Sequence, residues 1–84
     1  MKARKWWKRF ITVLDIDLPE HGLVAGDIGN VVLVHPGGEK YDVEFVTLKG
    51  EMVAVVTLDK GQIREIRDGE VGSARRLSVP LDVM

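Results

Sequence analysis

Leu18 to Val34, LPEHGLVAGDIGNVVLV, carries two turn signals directly into the most apolar run of the chain. Pro19 presets φ for the first turn, and Gly22 and Gly26 can take a positive φ that a side chain resists. Ile28 to Val34 then reads as a strand interrupted once, at Gly29, where a bulge or a close backbone approach is expected. A long turn-rich excursion feeding a bent strand is how small β-barrels begin.

The rest of the chain has the same grain. No segment of ten residues repeats with a helical period, and turn residues separate short runs rich in β-branched residues. Phe10 to Ile16 is the first expected strand, and the loop from Asp17 to Asp27 leads to the second, Ile28 to His35. His35-Pro36-Gly37-Gly38 is a type II turn by its chemistry, with proline second and glycine third. Lys40 to Val46 alternates cleanly, with Tyr41, Val43 and Phe45 on one face and Asp42 and Glu44 on the other.

Thr47 to Gly50 is a hairpin connection. Met52 to Leu58 is apolar on both faces and is expected to be the most enclosed strand, covered on both sides. A single tight helical turn is expected at Asp59-Lys60-Gly61, then a fifth strand from Gln62 to Ile66 with Ile63 and Ile66 as its buried pair. After a polar loop at 68–73, an edge strand is expected from Ala74 to Val79, before Pro80 stops it.

The expected fold is all-β, a small SH3-like barrel of five to six antiparallel strands. Its core should include Val13, Ile28, Val43, Phe45, Val56 and Ile63. Residues 1–9 form a basic Lys/Arg/Trp leader, 10–67 the barrel and 68–84 a C-terminal extension. At 84 residues there is room for one core only.

Cysteine is absent, which excludes disulfides and thiolate metal sites and fits a reducing cytoplasm. The net charge of −1 conceals an asymmetry. Lys2, Arg4, Lys5, Lys8 and Arg9 make the leader basic, while the remainder holds all 13 acidic residues. The leader resembles the start of a signal peptide, but Asp15 and Asp17 end the apolar run that follows too early for one. No run approaches the ~20 apolar residues of a membrane span, so a cytoplasmic protein with no membrane partner is expected.

Two runs together carry a resemblance. Leu18-Pro19-Glu20-His21-Gly22-Leu23 continues to Gly26-Asp27-Ile28-Gly29 and Val31-Val32. Tyr41-Asp42-Val43-Glu44-Phe45-Val46 is followed by Gly50 and by Ala54-Val55-Val56-Thr57-Leu58. Over roughly residues 10–67 the chain resembles a small bacterial domain-of-unknown-function family of stand-alone SH3-like barrels. That resemblance implies the fold and a bacterial cytoplasm and carries no catalytic residues. The Lys/Arg/Trp leader departs from the family pattern.

Candidate chemistry is sparse. His21, between Glu20 and Gly22, has no cysteine and no nearby serine or threonine to activate, and reads as a turn or binding-loop residue. His21 and His35 show no metal-ligand spacing, and neither metal nor cofactor is expected. Gly26-Asp27-Ile28-Gly29 lacks the helix N-terminus and lysine of a phosphate loop. Asp42 and Glu44 read as a solvated strand face or as partners for a basic surface. Asp15, Asp17, Glu20 and Asp27 make the long loop acidic, which suits a basic protein partner and opposes nucleic acid at that face.

The leading expectation is a non-enzymatic protein-interaction module, modulating a partner protein encoded nearby, with Asp17, Glu20, His21 and Asp27 on the contacting loop. The alternative is nucleic-acid binding through Lys5, Trp6, Trp7, Lys8 and Arg9, where basic groups meet phosphate and tryptophans stack on bases. The plain reading of the same leader is a terminus whose tryptophans cover the barrel or extend its first strand. A monomer or weak homo-oligomer is expected.

Overall fold

Alternation along Lys40–Val46 sets the inside and the outside of the molecule. Tyr41, Val43 and Phe45 are buried, while Asp42 and Glu44 between them are half-buried on the outer face. The computed structural model describes residues 11–77. Its strands are β1 (Thr12–Leu14), β2 (Ile28–Val34), β3 (Lys40–Val46), β4 (Met52–Asp59) and β5 (Ile63–Arg64). Single turns of 3-10 helix, Pro19–His21 and Lys60–Gln62, precede β2 and β5.

All pairings are antiparallel, and the strand order β4-β3-β2-β1-β5 makes one curled, half-barrel sheet. The long β1–β2 loop, the two hairpins and the helical turn before the last strand give the SH3-like order that the sequence predicts. Among the described residues no helix is long and apolar enough to cross a membrane.

The core joins Leu14, Leu18, Leu23, Val31, Tyr41, Val43, Phe45, Leu58 and Ile63, with Val56 packed partly buried against it. Val13 is also buried, and Thr12, the one buried polar residue described, donates its hydroxyl to the Arg64 carbonyl at 2.9 Å. That bond satisfies a group that would otherwise be costly to bury.

Gly29 has the close backbone approach predicted for it: a Cβ there would lie 2.6 Å from Val43 Cγ1 and 2.8 Å from Phe45 Cε2. The β2–β3 irregularity falls not at Gly29 but between Val31 and Leu33. The Val24–Asp27 turn places Gly26 at φ 98°, with the Asp27 amide donating to the Val24 carbonyl at 3.0 Å.

Several expectations are corrected. Ile28 is 46% exposed, because Gly29 and Val31 supply the inward face of β2 and leave Ile28 on the other side. β4 is not enclosed but lies at the sheet edge, with Met52 60% and Val55 50% exposed. Ala54, Val56 and Leu58 lie opposite Phe45, Val43 and Tyr41; Leu58 is buried, and Val56 and, beyond the irregularity at Phe45/Val46, Val53 pack partly buried against the core. Ile66 is exposed because β5 ends at Arg64, so Ile63 alone is buried there. The first strand is shorter than expected, and its expected start at Phe10 lies outside the described residues. Residues 74–77 form no strand, and 78–79 lie outside the described residues.

Candidate functional site

The β1–β2 loop is closed at its neck by backbone pairing. Leu18 and Leu23 exchange both amide–carbonyl bonds, at 2.9 and 3.1 Å, and both side chains are buried. Between them the chain makes the Pro19–His21 turn, and Gly22 ends it at φ 71° with its amide on the Pro19 carbonyl. Nearer the sheet, the Leu14 amide donates to the Asp27 carbonyl and the Gly26 amide to the Leu14 carbonyl. Paired backbone groups and two buried leucines thus brace the loop on either side of its tip.

The loop's four predicted site residues separate into two kinds. Asp17 Oδ1 accepts the Ala25 amide at 2.9 Å, and Asp27 Oδ2 accepts the Val24 amide at 2.9 Å. Both carboxylates therefore hold the loop in shape. Glu20 is exposed and His21 half-buried at the tip, and among the described residues neither side chain has a hydrogen-bond partner.

Arg75 closes on Asp27 from the C-terminal segment. Its Nε donates to Oδ1 at 2.8 Å, and its Nη2 donates both to Oδ2 and to the Gly22 carbonyl, the latter at 3.1 Å. Burial works to raise the Asp27 pKa, but the Arg75 and Val24 hydrogen bonds and the Arg75 charge outweigh it and hold the carboxyl below its ordinary value. Fork-to-carboxylate geometry of this kind is the strong, directional form of ion pair. Arg75 carries little signal in the sequence beyond its place in the basic pair Arg75-Arg76 of a weakly patterned tail.

Beside this clamp a cleft runs between the long loop and the β3–β4 hairpin. Ile28, Val46, Leu48 and Val53 line it, with the 71–77 segment along one side. On the outer sheet face, Asp42 Oδ1 accepts the Thr57 hydroxyl at 2.6 Å and lies 2.8 Å from His35 Nε2. These bonds, Thr57's first and His35's second, hold the Asp42 carboxyl below its ordinary value. Glu44 stands between Asn30 and Val55 on the same face. No group of three or more His, Asp or Glu side chains suited to a metal ion occurs among the described residues. Lys5, Trp6, Trp7, Lys8 and Arg9 lie outside the described residues.

A family model described as a domain of unknown function (DUF4926) matches residues 11–65. The match takes in the whole sheet, the long loop and Asp27, and stops before Arg75. No curated protein and no solved structure is found to match the chain.

Proposed function

The chain belongs to the DUF4926 family, and we propose that it is a non-enzymatic, cytoplasmic protein-interaction module that modulates a partner protein encoded nearby, with the tip of the long loop as its contact. The observation that carries this reading is the division of labour within the loop. Leu18, Leu23, Asp17 and Asp27 are spent on holding one backbone shape, and Glu20 and His21 are presented on it without partners among the described residues.

A preorganised loop loses little conformational entropy on binding, which is where much of the cost of association lies. The acidic character of the loop selects a basic partner surface and raises the rate of encounter with it. The protein acts as a monomer or weak homo-oligomer.

The test is affinity capture from the native host with mass spectrometry, comparing the wild-type chain with a Glu20→Lys/His21→Ala variant. One protein retained by the wild type and lost by the folded variant is the expected outcome. If instead tryptophan fluorescence is quenched saturably by single-stranded RNA or DNA at low salt, and deletion of residues 1–9 abolishes this, the arm of Lys5, Trp6, Trp7, Lys8 and Arg9 is a nucleic-acid site.

A further inference from the structure

The 71–77 segment lies along the cleft and is exposed over most of its length. Val71 is 89% exposed and residues 72–76 are all exposed, while Leu77 packs partly buried against the core. Its strongest attachment is the Arg75 guanidinium, which meets three acceptors: both Asp27 oxygens and the Gly22 carbonyl. Those acceptors are fixed independently of the tail. Gly22 caps the Pro19–His21 turn, and Asp27 is anchored by its own carbonyl on the Leu14 amide and its carboxylate on the Val24 amide. The loop is thus a formed guanidinium receptor, filled by a side chain 48 residues away. The receptor lies inside the family match and the group that fills it lies outside.

We propose that Asp27 and Gly22, with the adjoining apolar cleft of Ile28, Val46, Leu48 and Val53, form a binding groove for an extended, arginine-bearing segment of a partner protein, and that residues 71–77 occupy its arginine site as an internal competitor. The proposal rests on the protein-interaction reading above and names the chemistry it would recognise. The seated Arg75 shows the bidentate fit that the partner's arginine would reproduce, and lysine, a point donor, would not. The apolar lining beside it would take an aliphatic side chain of the same segment. Because the strap is exposed along most of its length, releasing it disturbs little of the core. A tethered competitor acts at an effective concentration in the ~mM range, so it weakens apparent affinity for an outside segment without changing the groove.

The experiment uses the full chain and a fluorescein-labelled peptide, GSARRLSV, read by anisotropy. Arg75→Ala protein, confirmed folded by circular dichroism, is expected to bind the peptide at least about tenfold more tightly than wild type. Adding Asp27→Asn to that variant, or replacing both peptide arginines by lysine, should abolish the gain.

Folded Arg75→Ala protein that fails to bind, or binds equally with Asp27→Asn, overturns the groove. It would leave the loop-tip reading intact, since that rests on Glu20 and His21. Should Arg75→Ala not fold, amide NMR of the wild-type chain with millimolar peptide decides. Shifts at Gly22 and Asp27 with the arginine peptide alone support the groove, and their absence removes it. A concentration-dependent dimer of the wild type that Asp27→Asn dissolves would give the site to the tail of a second copy and overturn the partner.

Discussion

The ring of Phe45 lies where a side chain on Gly29 would have to be: a Cβ at Gly29 would sit 2.8 Å from Cε2 and 3.0 Å from Cδ2, with Val43 Cγ1 closer still at 2.6 Å. The absent side chain leaves room on the inner face of β2 for the Phe45 and Val43 side chains of its sheet neighbour β3. Gly29→Ala should therefore destabilise the fold by about 1–3 kcal/mol, the usual cost of forcing extra volume into a packed core. Phe45→Ala, at a side chain only 2% exposed, should cost about 3–5 kcal/mol. In denaturant titrations, a loss under about 0.5 kcal/mol for Gly29→Ala would show that the Phe45 ring yields freely.

Gly26 makes the opposite argument. A Cβ there meets nothing within 4 Å, but the residue sits at φ 98°. Any cost of Gly26→Ala must come from the backbone, on the order of 1–2 kcal/mol. Gly26→Asn, which tolerates positive φ better, should recover part of it. Equal stability of the alanine variant and the wild type would mean that the Val24–Asp27 turn relaxes to another type.

How much of this was legible in the sequence depended on pattern contrast. β3 alternates apolar with acidic, so Tyr41, Val43 and Phe45 declare their face, and the turns at Gly26 and Pro36-Gly37 follow from local chemistry. β4 carries valines on both faces, and periodicity cannot separate a doubly covered strand from an edge strand with an apolar outer side. Ile28 misled for a related reason: two glycines flank the start of β2, and the residue that turns inward is Gly29. Asp27 was legible as a loop carboxylate, but not its partner. Arg75 lies 48 residues on, in a segment with no regular period, and only the folded backbone brings them together.

Acid should expose a second clamp. Arg64 donates from Nη1 and Nη2 to the two Glu70 oxygens at 2.9 and 2.6 Å, and the Arg67 amide adds a third bond at 2.6 Å. The Arg64 hydrogen bonds first, then the Arg67 amide, pull the Glu70 pKa from 4.5 to about 2. A carboxyl depressed in the folded state stabilises fully above its unfolded pKa and loses that stabilisation as pH falls toward the folded value. The contribution should therefore be complete at pH 5 and fade between about 4.5 and about 2. Carbon-detected NMR should find Glu70 titrating near the bottom of that window, and in Arg64→Met it should return toward 4.5. An unchanged Glu70 titration in that variant would exclude the ion pair as the cause.

The edge position of β4 makes a prediction that its sequence alone would reverse. Among the described residues β4 pairs only with β3, whereas β3 is flanked on both sides. In an antiparallel ladder, successive residues point their amides alternately toward the neighbour and away from it. Amide hydrogen exchange along Met52–Asp59 should consequently alternate, slow where the N–H meets β3 and fast where it faces outward. Lys40–Val46 should be slow throughout. Side chains should divide in the same way. Val55, 50% exposed, should accept lysine within about 0.5 kcal/mol, as surface sites do. Val56, packed on the core opposite Val43, should not accept it without a large loss. Uniformly slow exchange along β4 would show that another strand covers this edge in solution, and the half-barrel would then be one strand larger than the described residues make it.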